Sequence, residues 1–339
     1  VDWFKTRWII PASGTIKFPA TGSGYIIRYV PINHITGAPI GAMQIINSAV
    51  AGQVVSGLNV GWMYRIDAYG GTFSQLSFND YPDNKDDIAA IEQWGAIAWS
   101  SFEKAFYECR NMDLIAIDKP NLTSCVSLDR MFFGCTSLVN VNSSISSWET
   151  DNIVVLGGMF AGAIQFNKPL NWNTVNVKNT SWMFSGAIAF NQPINFDTRN
   201  VLDMGHMFVG ASAFNSSVTF SNTSKVTNME SMFRDAVAFN QSIGNWNTSQ
   251  VIDMKRMFEG ARVFNQDISS WNTEKVKNMG GMFNGAYKFN QPIGSWNTQS
   301  LESTYAMFWE AIDFNKPLTW NTPNLNTTYG MFGGATSFN

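Results

Sequence analysis

Val251-Ile-Asp-Met254-Lys-Arg-Met257-Phe258-Glu-Gly260-Ala261-Arg-Val-Phe264-Asn265-Gln-Asp-Ile268-Ser-Ser-Trp271-Asn272-Thr273 is one turn of a repeat, and Val276 opens the next. Its Met-Phe pair recurs at Met131-Phe132, Met159-Phe160, Met183-Phe184, Met207-Phe208, Met232-Phe233, Met282-Phe283, Met307-Phe308 and Met331-Phe332. The steps between successive pairs, in chain order, are 28, 24, 24, 25, 25, 25, 25 and 24 residues. A nearly fixed period of this size belongs to stacked supersecondary units, each too small to bury its own apolar face. Such an array works through its surface, which points to a protein that is bound and away from an enzyme.

Val251, Met254, Met257-Phe258 and Ala261 stand at helical spacing, so the first half of the unit is expected to be a short helix with one buried stripe. Gly260 and its equivalents Gly162, Gly186, Gly210 and Gly285 fall where a left-handed residue would end that helix. The second half reads as extended, turning Phe264, Ile268 and Trp271 inward, and Trp-Asn-Thr turns the chain towards the next unit. Pro169, Pro193, Pro292 and Pro317 follow Phe-Asn-[Lys/Gln] in their units. Proline cannot donate to a ladder, so the paired strand there is either very short or displaced to one side of it.

Residues 1–78 lack the repeat. Trp8 to Ile10, Thr15 to Phe18, Tyr25 to Val30, Gln53 to Leu58, Trp62 to Ala68 and Thr72 to Phe78 read as short strands between Gly-rich breaks. That pattern suggests a small antiparallel β-sandwich. Residues 79–104 form a capping segment. Its Asn79 to Asp87 stretch is a turn feeding a short helix over Ile88 to Trp94, with a calcium loop as the alternative. The repeats occupy 105–339. They stop at Phe338-Asn339 without a polar capping unit; either the sequence is a fragment or that face packs against another molecule, such as a second copy.

Composition narrows the function. Hydrophobic residues make up 45 % and charged residues only 14 %, and 26 Phe, 16 Met and 13 Trp carry the apolar load. A net charge of −3 gives no basis for holding nucleic acid or an anionic membrane. No apolar run is long enough to span a bilayer. Abundant Asn, Ser and Thr suit an extracellular or cell-surface protein, and a start at Val1 is read as a removed signal peptide or a missing N-terminal part.

Cys109, Cys125 and Cys135 are too few for a disulfide framework. Cys109 and Cys135 fill one slot of adjacent units, where later units carry Ala163, Ala187, Ala211, Ala236, Ala261 and Ala286. They read as small buried residues, although neighbouring strands at ~4.8 Å would permit a bridge. His34 sits in a loop and His206 faces outward on its helix, neither with a catalytic partner. No phosphate loop, nucleophile elbow, paired carboxylates, metal set or cofactor motif is found, so no catalytic, metal or cofactor residue is assigned. The Asn after each second Phe (Asn167, Asn191, Asn215, Asn240, Asn265, Asn290 and Asn315) is expected to form a buried amide ladder, not a sugar-binding row.

The repeat V-x-x-M-x-x-M-F-x-G-A-x-x-F-N-Q-x-I-x-x-W-N-T resembles that of BspA-like leucine-rich-repeat surface proteins, which carry the mycoplasma-type lipoprotein repeat. Met232-Phe233 through Trp246-Asn247-Thr248, and Met257-Phe258 through Trp271-Asn272-Thr273, carry the likeness. Ile91 to Gly95, Trp99 to Ser101 and Ala105-Phe106-Tyr107-x-Cys109 extend it to about residue 80. The resemblance implies an α/β solenoid of leucine-rich-repeat type behind an immunoglobulin-like domain, although the W-G-D-G turn common in that domain is absent. It also implies adhesion to a protein or glycan on another cell or host surface, and no catalysis. The alternative is a self-assembling subunit of an extracellular filament or phage tail fibre. Partner contacts are expected at the variable positions Lys255-Arg256, Glu259 and Arg262, then Gly280-Gly281, Asn284 and Tyr287-Lys288.

Overall fold

The computed structural model describes residues 3–142 and 144–339; Val1 and Asp2, read above with the first domain, and Ser143 lie outside the described residues. The chain divides into two compact units, one of Val1–Ile153 with Met159–Trp172, the other of Val154–Gly158 with Asn173–Asn339.

The first unit holds eight strands: β1 (Phe4–Ile9), β2 (Ile16–Lys17), β3 (Ser23–Pro31), β4 (Gln44–Val50), β5 (Val54–Val55), β6 (Met63–Tyr69), β7 (Ile88–Gln93) and β8 (Asp113–Leu114). Six of them form one mixed sheet in the order β4-β3-β6-β1-β7-β8, while β2 and β5 pair separately. The expected two-sheet immunoglobulin-like sandwich is therefore corrected to a single sheet with a two-stranded ribbon. Gln53 to Leu58 yields only a two-residue strand, and Thr72 to Phe78 contributes two isolated bridges, Ala20 with Leu76 and Gln75 with Ser101. Alternation still sets the buried face: Phe4, Thr6 and Trp8 of β1 point inward, and Trp8 meets Phe78 at 5.7 Å between ring centroids.

The helix expected over Ile88 to Trp94 is instead β7, which pairs antiparallel with β1 and parallel with β8. An open sheet edge at β1 rewards extended backbone more than local propensity rewards a helix. Among the described residues the helical turn before it is a 3-10 turn at Pro82–Asn84, near which Asp83 engages Lys17 and Asp87 accepts from Asn84.

No α-helix occurs among the described residues, which corrects the α/β solenoid of leucine-rich-repeat type. In the second unit each coil is built from turns. Met257, Glu259 and Ala261 donate their N–H groups three residues back, to Met254, Arg256 and Phe258 O, at 3.0–3.2 Å. The alternate amides go to the next coil: Met254, Arg256, Phe258 and Gly260 donate to Asn278, Gly280, Met282 and Asn284 O at 2.7–3.0 Å. A parallel chain of single bridges joins Val155, Asn179, Asp203, Asn228, Asp253, Asn278, Ser303 and Thr327. The three-residue spacing that imitated a helix is thus a three-residue turn.

What excludes the helix is a pair of left-handed residues in every coil. The residue before each Met-Phe has positive φ, from Trp182 (61°) and His206 (62°) to Arg256 (55°) and Ala306 (50°). So does the second residue after each Phe, including Gly260 (69°) and Gly285 (67°). The glycines keep the expected left-handed backbone but cap a turn. A Cβ on Gly285 would lie 3.7 Å from Gly260 Cα, so space is adequate and conformation is the constraint. Gly285→Val, β-branched at positive φ, is expected to cost about 1–3 kcal/mol and Gly285→Asn about 1 kcal/mol or less, read from urea unfolding midpoints.

Inside, the coils superimpose like residues. Phe233, Phe258, Phe283 and Phe308 stack at 5.6–5.8 Å, and each lies 3.8–4.1 Å from the second Phe of its own coil. Trp271, Trp296 and Trp320 stack at 6.4–6.5 Å, and each donates its indole N–H to an Ile carbonyl of the preceding coil. The proline question is settled at Pro193: β9 (Ile194–Phe196) begins directly after it and pairs in parallel with β10 (Val218–Phe220). From Phe160 onward the two Phe of a coil stand six positions apart, whereas the step from the second Phe to the Trp is seven in Phe264 to Trp271 and six in Phe314 to Trp320. The change between 24 and 25 residues is absorbed there in these coils.

Candidate functional site

The variable side chains lie on the turn-rich half of each coil, where left-handed Trp182 and Arg256 are exposed and His206 half-buried, while Ser231 and Ala306 are buried. Lys255, Arg256 and Glu259 line one side of a cleft of about 280 Å³ in the second unit. Asn278, Gly280, Gly281 and Asn284 form its floor, and Ser303, Tyr305 and Ala306 of the following coil close it. Within the cleft Gly281 stands where other coils carry Trp182, His206 or Arg256, a slot that is also small at Gly158, Ser231, Ala306 and Gly330. Of the nine contact positions named from the sequence, the structure brings Lys255, Arg256, Glu259, Gly280, Gly281 and Asn284 together in this cleft. It places the other three elsewhere: the Arg262 guanidinium lies 5.7 Å from the Tyr287 ring centre, and Lys288 pairs with Asp313 at 3.0 Å.

Charge in the cleft is largely neutralised. Lys255 Nζ meets Glu230 at 3.2 Å, and Glu259 accepts from Arg256 at 3.2 Å and lies 3.6 Å from Arg234. These pairs are partly exposed and contribute little stability. Beneath them runs a row of turns in which a side-chain oxygen accepts the N–H two residues on: Asp253 from Lys255 at 2.7 Å and Asn278 from Gly280 at 3.0 Å. Burial pushes the Asp253 carboxyl above its usual range. Tyr305 stands half exposed and stacks on Tyr329 at 5.8 Å. Sequence reasoning stopped one coil short of Tyr305, although the same column extended by 25 residues from Gly280 leads to it.

The Asn row that follows each second Phe forms a ladder, but at the surface. Asn240, Asn265, Asn290 and Asn315 each donate a backbone N–H to the Asn Oδ1 of the preceding coil at 2.9 Å, with side chains half-buried or exposed. The expectation of a buried ladder is corrected. These amides sit at the rim, where Gln241, Gln266 and Gln291 also bond to them.

His206 lies flat against Trp182, ring centres 4.0 Å apart and 6° from parallel. It is on a turn and half-buried, not on a helix. Burial lowers its pKa below the ordinary 6.5, despite the opposing pull of Glu230 and Asp203. Because the unfolded chain takes up the proton first, stability is full above 6.5 and is lost as pH falls from there through the lowered folded value. Melting curves at stepped pH should show this fall in the wild type and not in His206→Asn, which tolerates the left-handed backbone. Cys109, Cys125 and Cys135 are free and buried, and burial pushes all three thiols up.

Among the described residues, no three His, Cys, Asp or Glu side chains converge as a metal site would require. No helix among them is long and apolar enough to cross a membrane. No curated protein and no solved structure matches the chain. A family described as "Mycoplasma protein of unknown function, DUF285" matches residues 100–219, 194–272 and 242–339. This agrees with the mycoplasma-type repeat that the family resemblance implied, and it lends no support to leucine-rich-repeat proteins of the BspA-like kind specifically. With three overlapping copies of its repeat unit spanning 100–339, the chain belongs to the DUF285 family.

Proposed function

We propose that the chain is a non-catalytic interaction module that works outside the cell or on its surface. The observation that carries this reading is the division of labour within each coil. From Met159 to Ala311 the Met, Phe and Ala at fixed positions are buried, while the left-handed position before Met-Phe changes from coil to coil: Trp182 and Arg256 are exposed there and His206 half-buried, whereas Ser231, Gly281 and Ala306 are small and buried. A constant interior with a changeable exterior is how repeat arrays generate binding surfaces. The likeness of the repeat to BspA-like surface proteins points the same way, towards a protein or glycan of another cell. Few charges and many neutral hydrogen-bonding side chains suit that environment.

The test is direct. Fluorescently labelled chain is expected to bind saturably to some among a panel of bacterial and animal cells, and pretreating those cells with protease or glycosidase should remove binding. Absence of saturable binding to every cell type, with long fibres seen by light scattering in the chain alone, would replace this reading with that of a self-assembling subunit.

A further inference from the structure

We propose that the cleft between Arg256 and Tyr305 binds a neutral oligosaccharide, with one sugar ring seated over Gly280-Gly281 and the next against Tyr305. The inference rests on the reading of the chain as a binding module and names the ligand class. Three features carry it. First, the cleft opens where the column before Met-Phe narrows to glycine between Arg256 and the coil of Tyr305. Lacking a Cβ, Gly281 leaves the space that Trp182, His206 and Arg256 fill in their own coils, and a Cβ there would stand 3.2 Å from Arg256 Cγ. Its volume of about 280 Å³ falls below the ~300–1,000 Å³ usual for whole small-molecule ligands, so it suits part of a longer chain.

Second, the walls match the chemistry of a sugar. A pyranose has C–H faces and a rim of hydroxyls, so it needs an aromatic platform beside hydrogen-bonding groups. Tyr305 is 50 % exposed and continues onto Tyr329, which gives two nearly parallel rings on successive coils. Opposite them, Arg256 and Glu259 present planar groups that donate and accept in pairs, and the Asn284 amide makes no side-chain hydrogen bond among the described residues. Third, the charge of the cleft excludes the main competitors. Lys255 is matched by Glu230, and Arg256 by Glu259, so neither an anion nor a cation gains net attraction.

The experiment is an NMR titration of the intact chain with neutral hexasaccharides of glucan, mannan, galactan and xylan type. Each is taken to about 10 mM, tenfold above a ~1 mM Kd. The proposal expects at least one sugar to shift the amide signals of Gly280, Gly281, Asn284 and Tyr305. Affinity should fall at least tenfold in Tyr305→Ala and in Gly281→Arg. The latter restores at this site the side chain that Arg256 supplies one coil earlier, so its fold is preserved by precedent within the protein. Shifts that map elsewhere, no shift with any sugar, or undiminished binding by both variants would overturn the proposal. If the two variants also bind cells as the wild type does, only the ligand assignment falls and the interaction reading stands.

Discussion

Replacing Phe258 with alanine is expected to lower the unfolding free energy by about 3–5 kcal/mol, the range for a fully buried aromatic whose cavity cannot close. The ring is fully buried, with Phe264 at 4.0 Å, Phe233 at 5.8 Å, Phe283 at 5.7 Å and Trp271 at 6.2 Å between centroids. Collapse would require two neighbouring coils to approach, yet the inter-coil hydrogen bonds from Phe258 and Gly260 fix their separation. The void therefore persists. Phe332 is a control within the same stack: it is partly exposed, so Phe332→Ala should cost clearly less. Urea unfolding of both variants measures the difference, and equal losses would contradict a shared aromatic interior. Phe258→Ala combined with Phe283→Ala should not be additive, because the two rings line one space.

Asp67→Ala is expected to cost about 3–5 kcal/mol, since it strands two guanidinium groups around a buried position. Asp67 is 2 % exposed on β6; it accepts from Arg28 at 2.9 Å and lies 3.3 Å from Arg65. Burial outweighs both cations and raises its carboxyl above the ordinary 3.8. The folded protein therefore holds a proton that the unfolded chain has already released. Stability contributed by this group is present below 3.8 and declines as pH rises through the raised folded value. Asp67→Asn, neutral at every pH, should lack that decline and cost less than Asp67→Ala. Chemical denaturation at stepped pH reads both quantities, and an Asn variant that is worse than Ala would rule out burial as the dominant influence.

The period, the buried set and the left-handed glycines were all legible in the sequence, because each depends on residue type at a fixed place. Val251, Met254, Met257, Phe258, Ala261, Phe264, Ile268 and Trp271 are all buried, as their spacing implied. The helix was not legible as a turn. Over three intervals, a period of three residues and one of 3.6 place the same side chains on one face. The deciding residues are left-handed Trp182, His206, Ser231 and Arg256, which share no chemistry that would betray their backbone. Pairing of β1 with β7 was equally hidden, since it joins Lys5 to Gln93 across most of the first unit. For the site, the missing signal was an absence. Gly280-Gly281 falls among the contact positions expected from the sequence, yet it is recognisable as an opening only when Arg256 and Tyr305 line the same cleft.

The elastic stretch between the second Phe and the Trp has an evolutionary consequence. Gene duplication that copies or drops one repeat must preserve the register of amides on both flanks, and a gain or loss of one codon in this stretch leaves that register untouched. An array of this kind can therefore gain or lose a coil, and change its outward residues, without redesigning the interior.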